Sequence, residues 1–266
     1  MLWIQIVIRG DNVLALVTGA SSGIGKEIAK YLDSLGYDLI LVATNKEKLE
    51  KVRNSVNNKT KIIVMDLTKE KNCFDLYEQI KNDNIDILVN NAGFGLFGEF
   101  AKTDLNKELE MIDLNVKAYH ILTKLFLQDF IKKDSGYILN VCSSAGFMVG
   151  PRLSTYYATK NYVTKLTMAI NEELRQNKSK VQISALCPGP VDTNFNNVAK
   201  GEFSIKGADP KYVAKYAIDK MFKGKMIIIP KLSMKMGIFA TRFLPYRLQL
   251  IINYNIQWRK EKNYKG

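Results

Sequence analysis

The run Val13-Leu14-Ala15-Leu16-Val17-Thr18 stops abruptly at Gly19-Ala20-Ser21-Ser22-Gly23-Ile24-Gly25, and apolar residues at helical spacing follow as far as Gly36. An unbroken apolar run of this length suits a strand covered on both faces. The glycines allow a tight turn, and the turn opens directly into a helix. The same alternation then recurs along the chain. Further strands are expected over 38–43, 61–65, 85–89, 137–141, 181–186 and 226–229, and helices over 24–35, 46–57, 74–81, 105–132, 155–176 and 211–223. Strand–helix alternation at this spacing predicts an α/β fold, a doubly wound parallel sheet of about seven strands with helices on both faces. Such sheets bind ligands beyond the carboxyl ends of their strands, where every motif described below falls.

Composition narrows the function. Of 266 residues, 47% are apolar and 24% charged, which excludes disorder, collagen and coiled coil. There is no uncharged apolar run long enough to span a bilayer. The three cysteines, Cys73, Cys142 and Cys187, are odd in number, far apart and without zinc-ligand spacing; they fit a reducing cytoplasm. They are read as buried small apolar residues. A single histidine, His120, rules out a His-rich metal centre and is expected in the core or at an interface. The net charge of +13 is concentrated late: residues 200–266 carry fifteen basic and four acidic side chains. This points to an appended basic surface, and no aromatic-interleaved groove supports nucleic-acid binding.

Residues 1–231 are expected to form one domain, with 232–266 as a basic C-terminal extension. Residues 1–12 lack the basic start and small-residue cleavage site of a secretory signal and are read as a short anchor or an extra edge strand. Within 232–258, Met, Leu, Ile and aromatic residues are interleaved with Lys235, Arg242 and Arg247, and Pro245 is expected to split the segment into two helices. Two readings stay open: a helical pair packed on the core or on a twin subunit, and a basic amphipathic segment in peripheral contact with an anionic membrane.

The turn after the first strand is a place for a pyrophosphate. Its backbone can approach closely, and the following helix offers free N–H groups and a partial positive charge. In the helix expected over 155–176, Tyr156 and Lys160 stand four residues apart and share one face. A free tyrosine has a pKa of about 10; a neighbouring ammonium lowers it and makes the phenol a usable acid–base near neutrality. Tyr157 has Asn161 rather than a lysine at that spacing.

The turn motif, Asn91-Ala92-Gly93 after the fourth strand and Tyr156-Tyr157-Ala158-Thr159-Lys160 occur in the order that resembles the short-chain dehydrogenase/reductase family, over about residues 13–230. The resemblance implies a Rossmann-type sheet and a nicotinamide cofactor. It places Gly19, Ser21, Ser22, Gly23, Ile24 and Gly25 at the phosphates, and Asp66 and Leu67 at the adenine. It lines the site with Asn91, Ala92 and Gly93, and puts Pro188, Gly189, Val191 and Thr193 on the nicotinamide side. It further implies that Ser143 steadies the substrate oxygen, that Tyr156 exchanges the proton, that Lys160 tunes Tyr156 and holds the cofactor ribose, and that Asn115 supports a proton relay through water. At the end of the second strand, Thr44, Asn45 and Lys46 bring no carboxylate to bind ribose hydroxyls, so NADP(H) is favoured over NAD(H). The implied reaction is hydride transfer between NADP(H) and a carbonyl or alcohol. The resemblance places substrate recognition in the segment 194–208, with Phe195, Val198, Phe203 and Ile205, and in the Met- and aromatic-rich C-terminal region; the few acids there suggest an apolar acyl or steroid-like ketone. The branch most resembled is that of poorly characterised bacterial enzymes related to acyl and steroid reductases. Relatives pair through the helices expected at 105–132 and 155–176, which implies a homodimer or homotetramer. The alternative is a catalytically silent NADPH-sensing or membrane-associated binding protein, against which the intact Asn115, Ser143, Tyr156 and Lys160 argue. An extended-branch epimerase or dehydratase would be longer and would space its turn glycines differently.

Overall fold

A computed structural model describes residues 13–195, 199 and 207–263. The expected N-terminal strand or anchor at 1–12, and Val198, Phe203 and Ile205, lie outside the described residues. Seven parallel strands form one sheet in the order β3-β2-β1-β4-β5-β6-β7. They are β1 (Leu14–Thr18), β2 (Asp38–Ala43), β3 (Thr60–Val64), β4 (Ile87–Asn90), β5 (Tyr137–Val141), β6 (Gln182–Leu186) and β7 (Ile227–Ile228). The order reverses at β1, which pairs with β2 on one side and with β4 on the other. A crevice opens at the carboxyl ends of the strands wherever such a reversal occurs.

Alternate residues of each strand feed two cores. In β1, Ala15 and Val17 join the layer under helices α1 (Gly23–Ser34) and α7 (Pro210–Met221), where Ile28, Leu32, Val213 and Ala217 are fully buried. Leu16 points to the other layer, under α3 (Glu70–Ile80), α5 (Tyr119–Lys132) and α6 (Ser154–Gln176), which is filled by Leu76, Phe126, Phe130 and Leu174. Burying each such large side chain stabilises the fold by about 1.5–3 kcal/mol.

Three elements differ from expectation. The helix expected over 46–57 is α2 (Lys46–Arg53) and ends early, because the buried Asp33 carboxylate accepts the backbone N–H groups of Asn57 (2.9 Å) and Asn58 (2.7 Å) and draws the chain away from the helix axis. Helix α3 begins four residues before the expected 74, just after a turn in which Asp66 accepts from Thr68. The helix over 105–132 is continuous but contains a π-helical turn, Asp113–Ala118, between α4 (Leu105–Ile112) and α5. Beyond β7, α8 (Leu232–Thr241) and α9 (Tyr246–Asn263) are separated at Pro245 as expected. Cys73, Cys142 and Cys187 are buried free thiols. His120 is not a core residue; it is exposed on α5, with Nδ1 2.8 Å from the Tyr162 hydroxyl.

Candidate active site

The carboxyl ends of β1, β4, β5 and β6 surround a cleft of about 690 Å³. Its construction starts at the turn after β1. Gly19 has φ +63°, in the left-handed region, and a Cβ there would lie 2.7 Å from Asn91 Nδ2. That amide donates to the carbonyls of Thr18 (3.0 Å) and Gly19 (3.1 Å). Thr18 Oγ1 in return accepts from the backbone N–H groups of Asn91 (2.9 Å) and Ala92 (3.2 Å). The two strand ends at the reversal point are thereby tied together. Ser22 makes no side-chain cap to α1, so the first-turn N–H groups remain available beside the cleft-lining Gly19, Ser21, Ser22, Gly23 and Ile24. Such a helix start suits a phosphate, and the residues present fit a dinucleotide.

Gly25 is a correction to the expected contact set. It stands behind the wall, where a Cβ would lie 2.3 Å from Asn91 Nδ2 and 2.5 Å from Gly19 O, so its role is to let α1 press against the turn. At the end of β2, Thr44 lines the cleft while Asn45 and Lys46 do not. The Asn45 side chain is instead the N-cap of α2, accepting from Lys48 N–H at 2.8 Å, and Lys46 is exposed at the start of that helix. Asp66, Leu67, Ala92, Gly93, Pro188, Gly189, Val191 and Thr193 all line the cleft. The Asp66 carboxylate accepts from Thr68 N–H (3.0 Å) and Oγ1 (2.7 Å), which fixes its orientation.

Asn115 sits in the π-helical turn, fully buried. The wider turn lets its amide reach back to the loop after β4. Its Oδ1 accepts from Phe94 N–H (3.1 Å), and its Nδ2 donates to Phe94 O (2.8 Å) and Thr159 Oγ1 (3.2 Å). A Cβ on Gly93 would come within 2.7 Å of Asn115 Oδ1 and 3.5 Å of Lys160 Nζ, so Gly93 keeps these two groups close. A π-turn is costly in isolation and recurs at functional positions.

Ser143 follows β5 and accepts from Ala145 N–H at 3.1 Å. It also lies beside the phenol of Tyr156, in the first turn of α6, where it favours the phenolate. Lys160 Nζ donates to Val141 O at 2.9 Å and lies 5.9 Å from the centre of the Tyr156 ring. Burial pushes the Tyr156 phenol up to about 12 despite the neighbouring Ser143 hydroxyl, and pushes the Lys160 ammonium down to about 8. The expected lowering of the phenol by its lysine is therefore not what this arrangement shows. Desolvation dominates both groups, and the ammonium is turned onto a backbone carbonyl.

The expected Phe195 lines the cleft, and the C-terminal region, also expected at the substrate, contributes Met234 of α8 and Asn253, Ile256, Gln257 and Lys260 of α9; Phe94 and Tyr157 were not anticipated. Gln257 Nε2 donates to the Tyr157 hydroxyl at 2.8 Å, and Lys260 Nζ donates to Gln257 Oε1 at 3.2 Å. For Asn253 and Gln257 the available signal was the polar series Gln249, Asn253, Gln257, spaced by four among apolar and basic residues.

Comparison with known proteins agrees with this geometry. A family model described as short chain dehydrogenase matches residues 13–202. An uncharacterised oxidoreductase of Staphylococcus saprophyticus is 33% identical over 214 residues, spanning 78% of this chain and 90% of that protein. A short-chain dehydrogenase from Sphingobium yanoikuyae, solved with NADPH, superposes with a TM-score of 0.78 at 26% identity, over 87% of this chain and 94% of that one. A bulky-bulky ketone specific alcohol dehydrogenase from Comamonas testosteroni gives 0.73 at 26% identity, over 87% and 92%. With the turn and the Ser–Tyr–Lys cluster in one cleft and the π-turn asparagine buried behind it, the chain belongs to the short-chain dehydrogenase family.

Proposed function

We propose that this oxidoreductase, which acts on CH–OH and C=O groups, uses NADP(H) and takes an apolar ketone or its alcohol. The observation that carries this reading is the convergence, in one cleft, of the uncapped start of α1 with Ser143, Tyr156 and Lys160. The bound dinucleotide would supply or accept the hydride. Gly19, Ser21, Ser22, Gly23 and Ile24 would hold its phosphates, and Asp66 and Leu67 its adenine end. Tyr156, kept protonated at neutral pH by burial, holds the proton destined for the carbonyl oxygen. Ser143, beside that phenol in the cleft, is placed to donate to the same oxygen and stabilise its developing charge. Lys160, charged below about pH 8, stabilises the phenolate left behind. Asn115 fixes the backbone at Phe94 beside Lys160.

Preference for NADP(H) is supported by the absence of any carboxylate at Thr44, Asn45 and Lys46, and by structural neighbours of 26% and 25% identity solved with NADPH and with 5-hydroxy-NADP. An apolar substrate is supported by Phe94, Met148, Phe195, Met234 and Ile256 on the cleft wall. In the same reading the chain pairs with a second copy through α4, α5 and α6, which expose Leu105, Leu109, Ile131 and Tyr162.

One experiment tests the core of this. Cofactor titration by fluorescence should give NADPH binding at least ~10-fold tighter than NADH, since a 2′-phosphate contact is worth a charge-assisted bond. Tyr156→Phe should keep that affinity while losing essentially all turnover of bulky ketones, followed as NADPH absorbance. Full activity in Tyr156→Phe would show that another group delivers the proton.

A further inference from the structure

The last two helices present apolar side chains to solvent and polar ones to the protein. On α9, Gln249, Asn253 and Gln257 are at most 9% exposed, whereas Leu248, Ile251, Ile252 and Trp258 are each more than 40% exposed. The inward groups are all bonded. Gln249 Nε2 donates to Thr241 O (2.8 Å) and Leu244 O (2.7 Å), Asn253 Nδ2 to Val149 O (2.7 Å), and Gln257 Nε2 to the Tyr157 hydroxyl (2.8 Å). On and just beyond α8, Met236, Phe239 and Phe243 are 58–74% exposed. A helix facing water normally has the opposite arrangement, and a contiguous exposed apolar surface marks a partner.

The charges select the partner. Lys231, Lys235, Arg242, Arg247 and Lys262 are exposed and interleaved in sequence with these apolar groups. The one acid of the segment, Glu261, is held by Arg152 Nε at 2.7 Å. A two-fold contact with a second copy would set this surface against itself and bring like charges together. An anionic partner does the reverse. Tyr246, Tyr254 and Trp258 have the ring chemistry favoured at a bilayer–water boundary. No helix among the described residues is long and apolar enough to cross a membrane, so α8 and α9 would lie along the surface.

We propose that the α8–α9 face docks on an anionic lipid bilayer. Because Met234, Ile256 and Gln257 of the same helices line the cleft, docking sets the cleft mouth against the bilayer, where a membrane-dissolved carbonyl compound enters. The entry step rests on the reductase reading above; the docking step does not.

The test is sedimentation of the full chain with vesicles of phosphatidylcholine, alone or with one third phosphatidylglycerol. Binding is expected only with phosphatidylglycerol and should weaken as salt rises. The pair Phe243→Ser and Ile251→Ser, and separately the pair Lys235→Glu and Arg247→Glu, should each lower the partition coefficient at least ~10-fold. Neither pair lines the cleft, so NADPH affinity should be unchanged and serves as the check on folding. Absence of wild-type binding, or equal binding to both vesicle types, overturns the proposal. So does a concentration-dependent dimer in light scattering that Phe243→Ser abolishes without any vesicle binding. In a second arm, a long-chain ketone is dissolved in the vesicles. Wild type should turn it over at least ~10-fold faster than the variants do, with equal rates on a short soluble ketone; equal rates on both overturn bilayer entry. Vesicle binding with no ketone turnover at all would leave docking standing and defeat the reductase reading instead.

Discussion

Lys160 is a charged group almost wholly buried at the wall of the cleft, and its removal should make the protein more stable while destroying its chemistry. Burial holds the ammonium at about 8 against an ordinary 10.5, so keeping it charged in the fold at pH 7 costs roughly 3 kcal/mol. Lys160→Met keeps the unbranched stem and most of the volume. It gives up the Nζ bond to Val141 O, worth about 1 kcal/mol, but that carbonyl keeps the Tyr119 hydroxyl at 3.1 Å and is not orphaned. The net expectation is a gain of about 2 kcal/mol, or about 6 °C in Tm. The pH dependence identifies the cause. Below about pH 8 the lysine is charged in both folded and unfolded chains and the penalty is complete. Between about 8 and 10.5 the unfolded chain binds the extra proton, so wild-type stability rises with pH and the advantage of Met fades. Urea unfolding without cofactor at pH 7 and pH 10, with unchanged slope, measures both halves. A variant less stable than wild type at pH 7, or one whose advantage persists undiminished at pH 10, refutes the desolvation argument.

The same lysine should shape the rate. For carbonyl reduction, kcat/KM for NADPH reports groups of the free enzyme; it should be level up to about pH 8 and fall above it as Lys160 loses its proton, while Tyr156 stays loaded up to about 12. A profile flat to pH 10 would remove Lys160 from the charge-stabilising role. Gly25→Ala puts a Cβ within 2.5 Å of Gly19 O, a backbone atom fixed by the Asn91 amide. The expected loss is about 1–3 kcal/mol of stability together with weaker cofactor binding, read by urea unfolding and NADPH titration; an unaffected variant would mean that the turn yields easily.

The sheet was legible because a strand buried on both faces leaves so little choice of side chain: β1, β4 and β6 are read straight from their apolar runs. Element ends were less so, since they depend on distant partners. Nothing within residues 46–57 announces that Asp33 will take the N–H groups of Asn57 and Asn58. The π-turn at Asn115 was hidden for a similar reason. Local spacing there is helical, and the departure lets a buried amide satisfy Phe94 on another element. Cleft residues at strand ends followed from topology, because a reversal at β1 fixes where the crevice is. Asn45, Lys46 and Gly25 show the limit of the motif: adjacency in sequence to a contact residue says nothing about which way the next side chain turns.

Spacing and burial pull the electrostatics of the Tyr156–Lys160 pair in opposite directions. An ammonium four residues along a helix from a phenol lowers its pKa only if it stays solvated enough to remain charged and comes close to the oxygen. Here Lys160 is buried and Tyr156 half-buried, and desolvation acts on them in opposite directions, up for the acid and down for the base. That leaves the phenol holding its proton, the state that reduction of a carbonyl requires at its outset. The negatively charged phosphates and hydroxyl-rich ribose of a bound dinucleotide would favour the charged lysine and move the pair toward the tuning expected from spacing alone. On this argument the protein gains its acid–base poise on cofactor binding, so the alkaline limb attributed to Lys160 should move to higher pH in kcat than in kcat/KM for NADPH. Coincident limbs would show that the cofactor leaves Lys160 as it finds it.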